Sequence, residues 1–248
     1  MTDIPHGLML HHFRGGPHPD GQGALTADQF ADMIRFLGPE RFLSPDAWCE
    51  RALAGRLRPG DLCLTLDDAL KCQFDIALPV MRAFGLTAFW FVYSGVFQGR
   101  AERLEIYRHF RSARFETVEA FYAAFFDNIA GSEHGETYRA AIATFRPAEY
   151  LADYAFYTDE DRRFRFVRDQ VLGPRRYEAV MEAMIEDDPH YSITQAMRDL
   201  WMSDGDLGAL AAEGHEVGLH SFSHPTRMVD LSPEEQARQY RANRECWG

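Results

Sequence analysis

The chain has 248 residues, 46% hydrophobic and 26% charged, enough to bury a core without disulfide staples. Its formal net charge of −12 argues against a nucleic-acid backbone or an anionic membrane surface as partner. Four cysteines with no C-x-x-C pair are too sparse for a disulfide scaffold, and 19 Phe argue against disorder.

The N-terminal residues lack a basic segment followed by a long apolar stretch, so no signal peptide is read. Residues 7–13 (GLMLHHF) read as a buried strand, followed by a Gly/Pro/His-rich loop over residues 14–24. Thr26 and Gln29 form a capping-box pattern that opens a helix to about Leu37, and Ser44-Pro45 starts a second. A turn over residues 58–61 leads to the continuous apolar run of residues 62–66 (LCLTL), the kind of strand buried on both faces of a parallel sheet. A helix is expected from about Gln73 to Phe84, stopped by Gly85, and then a strand over residues 86–93. Strand, helix, strand in this order is a βαβ unit and implies a parallel α/β sheet. The longest apolar-rich run, residues 86–97, is too short to span a bilayer, so no membrane insertion and a cytoplasmic location are expected. Residues 98–201 are charged, aromatic and helix-periodic, and read as a helical insertion within a single domain of residues 1–248. In that stretch Phe115, Tyr122, Phe125 and Phe126 read as helix core rather than as a sugar platform. Ser203 caps a further helix ending at Gly214, a short strand covers residues 216–219, and Ser232 to Glu235 is a capping box for a last helix.

Two clusters carry chemistry. Asp67-Asp68 ends a buried strand, where parallel α/β proteins place their active sites. Adjacent buried carboxylates repel, so one of them needs a cation or a proton. An N-cap role for one of the pair explains the residues equally well. His220 and His224 follow the last strand, and a spacing of four puts them on one face of a helical turn. Alone, this pair reads as two solvated or hydrogen-bonded histidines. Beside a strand-end Asp-Asp it reads as a metal site, since one carboxylate and two imidazoles leave positions open for water, as in catalytic rather than structural zinc sites. His6, His18, His109, His134, His190 and His215 show no partner pattern and read as solvated or structural.

Thr65-Leu66-Asp67-Asp68-Ala69 resembles the T-F-D-D-G motif of NodB-type polysaccharide deacetylases, carbohydrate esterase family 4, and His220-Ser221-Phe222-Ser223-His224 resembles that family's H-[ST]-x-x-H motif. Residues 79–92 and 213–218 are similar to the segments that flank those motifs, so the resemblance covers roughly residues 5–97 and 200–245. It implies a distorted (β/α) barrel with Asp67 as general base and with Asp68, His220 and His224 as ligands of a divalent metal, zinc first. It also implies metal-dependent hydrolysis of an acetamide on an N-acetylated sugar or polysaccharide precursor. A different amide or imide hydrolase on the same scaffold, or a non-catalytic metal-binding domain, is the competing expectation. His11 and His12 end the first strand, so one of them can face the same rim; His12 is expected to contact substrate, against the alternative of a loop histidine satisfied by backbone. Ala69 stands where the family has glycine, and Leu66 where it has phenylalanine. The family's later motifs, an R-P-x-G-type strand, a D-x-W segment and a final L-H, are not found between His224 and Gly248, so the barrel is expected to be incomplete at its C-terminus.

Overall fold

The computed structural model describes residues 4–21, 23–225 and 228–247. Its elements run β1 (His6–Leu10), α1 (Ala27–Leu37), α2 (Pro45–Leu53), β2 (Leu62–Asp67), α3 (Leu78–Phe84), β3 (Phe89–Tyr93), α4 (Arg103–Arg114), α5 (Val118–Gly131), α6 (Gly135–Thr144), α7 (Asp159–Phe166), α8 (Gly173–Glu186), α9 (Ile193–Leu200), α10 (Asp204–Ala212), β4 (Glu216–Ser221) and α11 (Pro233–Cys246). The chain divides into two compact units, Met1–Glu102 with Met197–Gly248, and Arg103–Ala196. No described helix is long and apolar enough to cross a membrane.

The first unit holds a parallel sheet in the order β1-β2-β3-β4. Leu62, Leu64 and Leu66 on one face of β2 are fully buried and Cys63 on the other is buried too, as a strand covered on both faces requires. Among the described residues β1 and β4 are the outer strands, so the sheet is open and four strands wide rather than closed into a barrel. Helix starts follow local chemistry. Thr26 Oγ1 accepts from the Gln29 N–H while Gln29 Oε1 accepts from the Thr26 N–H, which closes the expected capping box of α1. Ser44 caps α2 with Pro45 in its first turn. Ser232 caps α11 through the Glu235 N–H, but the Glu235 carboxylate pairs with Arg238, so only half of the expected box forms.

The helix expected to run unbroken from Gln73 begins as a π-helical turn, Gln73–Ala77, before α3. Pro79 explains the break: it has no N–H to give to the carbonyl four residues back, and its ring crowds that carbonyl. Gly85 ends α3 at φ 66, in the left-handed region. β3 starts at Phe89, later than the expected 86, because the Leu86 N–H is still closing the helix onto Met81 O.

The second unit is helical, α4 to α8 and the start of α9. Its core is aromatic: Phe110, Phe121, Tyr122, Phe125, Phe126, Phe164 and Tyr177 are all buried, and Phe115 is half-buried beside them. Asp161 caps α7 in a box with Thr158 and accepts from Tyr122 Oη at 2.6 Å. Burial pushes its carboxyl pKa up, but hydrogen bonds from Tyr122 and Thr158 outweigh that and hold it below the ordinary value.

Candidate functional site

The four parallel strands bring their C-terminal ends to one edge of the sheet, the edge at which open α/β sheets bind ligands. His11 lies just past β1, Asp67 and Asp68 at the end of β2, Tyr93 at the end of β3, and His220, Ser221 and His224 at the end of β4.

Asp68 is 2% exposed and its N–H extends the ladder onto Phe91 O at 2.9 Å. Its Oδ1 lies 3.7 Å from His220 Nε2 and 3.4 Å from His224 Nε2. One ligand atom from each of these three residues lies within 4.8 Å of the other two. The chain thus brings together a carboxylate from β2 and two imidazoles from beyond the helical unit. Ligand atoms bound at about 2.0–2.2 Å around a tetrahedral ion stand roughly 3.3–3.6 Å apart. Separations of 3.4 and 3.7 Å therefore fit a shared divalent cation better than direct hydrogen bonds. A carboxylate with two imidazoles is also the donor set that zinc and other first-row metals accept.

The two histidines meet by a different route from the one their spacing suggested. His220 is a strand residue of β4, and His224 lies beyond the strand at φ 50. No helical turn contains them; a left-handed bend folds the second imidazole back to 5.1 Å from the first, ring centre to ring centre. Ser221 Oγ accepts from the His224 N–H at 3.0 Å, and the Tyr93 ring stacks on the His224 ring at 5.0 Å and 16°. Tyr93 is held in turn by Trp201, whose Nε1–H donates to Tyr93 Oη at 2.6 Å.

Asp67 is buried, and burial raises its pKa, partly offset by His220 and His11. His11 Nε2 stands 3.9 Å from Asp67 Oδ2 and 3.8 Å from Asp68 Oδ2. His12 stacks on His11 at 6.2 Å, and its carbonyl accepts from the Leu25 N–H. Of the two adjacent histidines, His11 lies beside both carboxylates. The sequence alone does not single out His11 for this place. Gln73, also overlooked, is fully buried in the π-helical turn, and its Nε2 donates to His11 O at 2.8 Å and Asp67 O at 2.5 Å. It ties the chain just past β1 to the end of β2.

Other histidines have structural partners. His18 Nε2 pairs with Asp75 Oδ2 at 2.9 Å, and His215 is buried beneath the sheet end, where its Nδ1 accepts from the Ala88 N–H and from Trp90 Nε1–H.

The sequence matches no protein-family model and no curated protein. Solved structures similar in shape include the following two. A Streptococcus pyogenes deacetylase, PplD, in complex with acetate aligns with 99% of this chain and 67% of its own, at 13% identity and a TM-score of 0.48. IcaB from Ammonifex degensii aligns with 98% of this chain and 67% of its own, at 16% identity and a TM-score of 0.47. Identity of this order says nothing of activity, which rests on the side chains themselves.

Proposed function

We propose that this chain is a metal-dependent deacetylase of the NodB type, which hydrolyses the acetamide of an N-acetylated sugar or polysaccharide precursor. The observation that carries this reading is the approach of Asp68 Oδ1 to His220 Nε2 and His224 Nε2, at 3.7 and 3.4 Å, beside a second buried carboxylate. The two motifs in which those residues lie support it independently.

In this reading Asp68, His220 and His224 hold the cation, zinc first. A bound divalent cation supplies Lewis-acid polarisation of the amide carbonyl and acidifies the attacking water. Asp67 takes the proton of that water as its oxygen forms a bond to the carbonyl carbon. The C–N bond then breaks and the amine nitrogen takes a proton, leaving acetate and a free amino sugar. His11, 3.9 Å from Asp67, is assigned that proton delivery. His12, stacked beside His11, is read as a substrate contact. The open sheet is read as part of the family's distorted (β/α) barrel, with the helices of residues 98–201 inserted in it, and the protein as cytoplasmic.

Acetate release from N-acetylglucosamine oligomers, with zinc content measured on the same protein, tests the reading. Zinc-loaded protein is expected to release acetate, to stop on chelation and to recover on zinc return. Asp67→Asn is expected to keep its zinc and lose about 10²–10⁴ of kcat. Zinc binding without turnover of acetylated sugars would sink the deacetylase assignment, and turnover of cyclic amides or imides in their place would move it to another C–N hydrolase.

A further inference from the structure

The bend that carries His224 is braced from outside the strands. Gln239 and Asn243 are the two buried residues of α11, one turn apart on an otherwise largely charged helix. Gln239 Oε1 accepts from the Ser223 N–H at 2.9 Å, and Gln239 Nε2 donates to Ser223 Oγ at 2.9 Å. Because a backbone N–H needs an acceptor, this pairing also fixes which end of the amide is which. Asn243 Nδ2 donates at 3.2 Å to Val92 O, the residue before Tyr93.

The four contacts form one brace. Ser221 Oγ holds the His224 N–H, Gln239 holds the residue before His224 at both its N–H and its hydroxyl, Tyr93 lies flat under the imidazole, and Asn243 holds the strand end from which Tyr93 projects. A non-glycine residue at φ 50 stays there only when its surroundings over-determine it. A buried amide on an amphipathic helix is a poor choice for packing alone, since an apolar side chain would fill the space with no polar group to satisfy.

We propose that Gln239 is a positioning residue for the candidate ligand His224: it fixes Ser223, and so the bend that aims the imidazole at Asp68. This rests on the reading of Asp68, His220 and His224 as a metal site. Groups that orient a ligand from behind commonly set metal affinity by 10–100-fold.

Zinc affinity, measured by competition with a chromophoric chelator on the full chain, decides the matter. Gln239→Leu is expected to weaken zinc about 10–100-fold. Gln239→Glu keeps an acceptor for the Ser223 N–H and is expected to regain most of the affinity. Ser223→Ala removes only the hydroxyl half of the clamp and should fall in between; it serves if Gln239→Leu does not fold. Met81→Ala opens a cavity in the same unit, at a fully buried site in α3, and is expected to lower Tm without moving zinc affinity. Wild-type affinity in Gln239→Leu overturns the proposal, and so does an equal loss in Met81→Ala, which would mean general destabilisation. A wild-type chain that binds no zinc overturns the metal reading itself and this inference with it.

Discussion

Asp68, Ala69 and His224 are non-glycine residues at φ 80, 54 and 50. Left-handed backbone costs an L-residue roughly 1–2 kcal/mol, and such strain gathers where a side chain must point in one direction. In a regular strand successive side chains face opposite ways. Here the bend at Asp68 brings both Asp67 Oδ2 and Asp68 Oδ2 within 3.9 Å of a single His11 nitrogen. Ala69 itself sits in the left-handed region, where glycine would carry no such cost. His215 illustrates the opposite kind of residue, one that serves the fold. Burial depresses its pKa below the ordinary 6.5, with Glu213 pulling the other way. The unfolded chain therefore takes up a proton below about pH 6.5 that the native ring refuses, so the stability His215 contributes is full above that pH and is lost as pH falls. His215→Leu removes the titration and orphans two buried donors, Ala88 N–H and Trp90 Nε1–H, at about 1–3 kcal/mol each. Urea midpoints should therefore show a deficit in the variant at pH 8 that narrows at pH 5; a deficit equal at both pH values would exclude the linkage. At this scale Asp67, Asp68, His220 and His224 could be singled out from residue type and from their place after apolar runs. His11 could be named only as one of an adjacent pair, and Gln239 not at all, because nothing in their neighbours in sequence records which carbonyl or carboxylate they meet across the fold.

Strand β4 delivers His220, and its fit depends on a residue with no side chain. Gly218 is paired with Phe91 in the ladder, and a Cβ there would lie 2.7 Å from Cδ1 and Cε1 of the Phe91 ring. Phe91 in turn lies parallel to Phe89 at 5.9 Å, so the ring is not free to swing away without disturbing a neighbour. Gly218→Val is expected to displace the ring and push β4 from β3, costing roughly 1–3 kcal/mol by overpacking and weakening zinc through His220. Thermal melts with and without zinc check it: the zinc-induced rise in Tm should shrink in the variant, and an undiminished rise would mean that β4 absorbs the change. Most elements could be anticipated where one short-range rule decides. The caps at Thr26, Ser44 and Ser203, the stop at Gly85 and the apolar β2 are such cases. The failures come where a longer range decides. β4 runs on to Ser221 because the ladder with Tyr93 continues through a bulge, which turned an expected helical pair of histidines into a strand residue and a loop residue.

At the scale of the whole chain, two cores of different character coexist. The first unit buries Leu62, Leu64, Leu66, Leu70, Leu78 and Met81 around a sheet, while the second is built from stacked and edge-on rings of Phe121, Tyr122, Phe125, Phe164 and Tyr177. Phe125 is fully buried and touches four of those rings or their neighbours, Phe121, Phe126, Phe164 and Tyr177. Aromatic pairs add about 0.5–1.5 kcal/mol each beyond the area they bury, so Phe125→Ala is expected at the upper end of the roughly 3–5 kcal/mol range for such truncations. A core of its own implies a cooperative unit of its own. Hydrogen exchange followed by mass spectrometry reads this directly, because it reports protection segment by segment. In Phe125→Ala, peptides from residues 103–196 should exchange faster by the full destabilisation, while those covering β2 and β3 keep their wild-type protection. Equal loss of protection in both sets would make the two cores a single cooperative body, and a mutation anywhere in the helical unit would then reach the carboxylates at the end of β2.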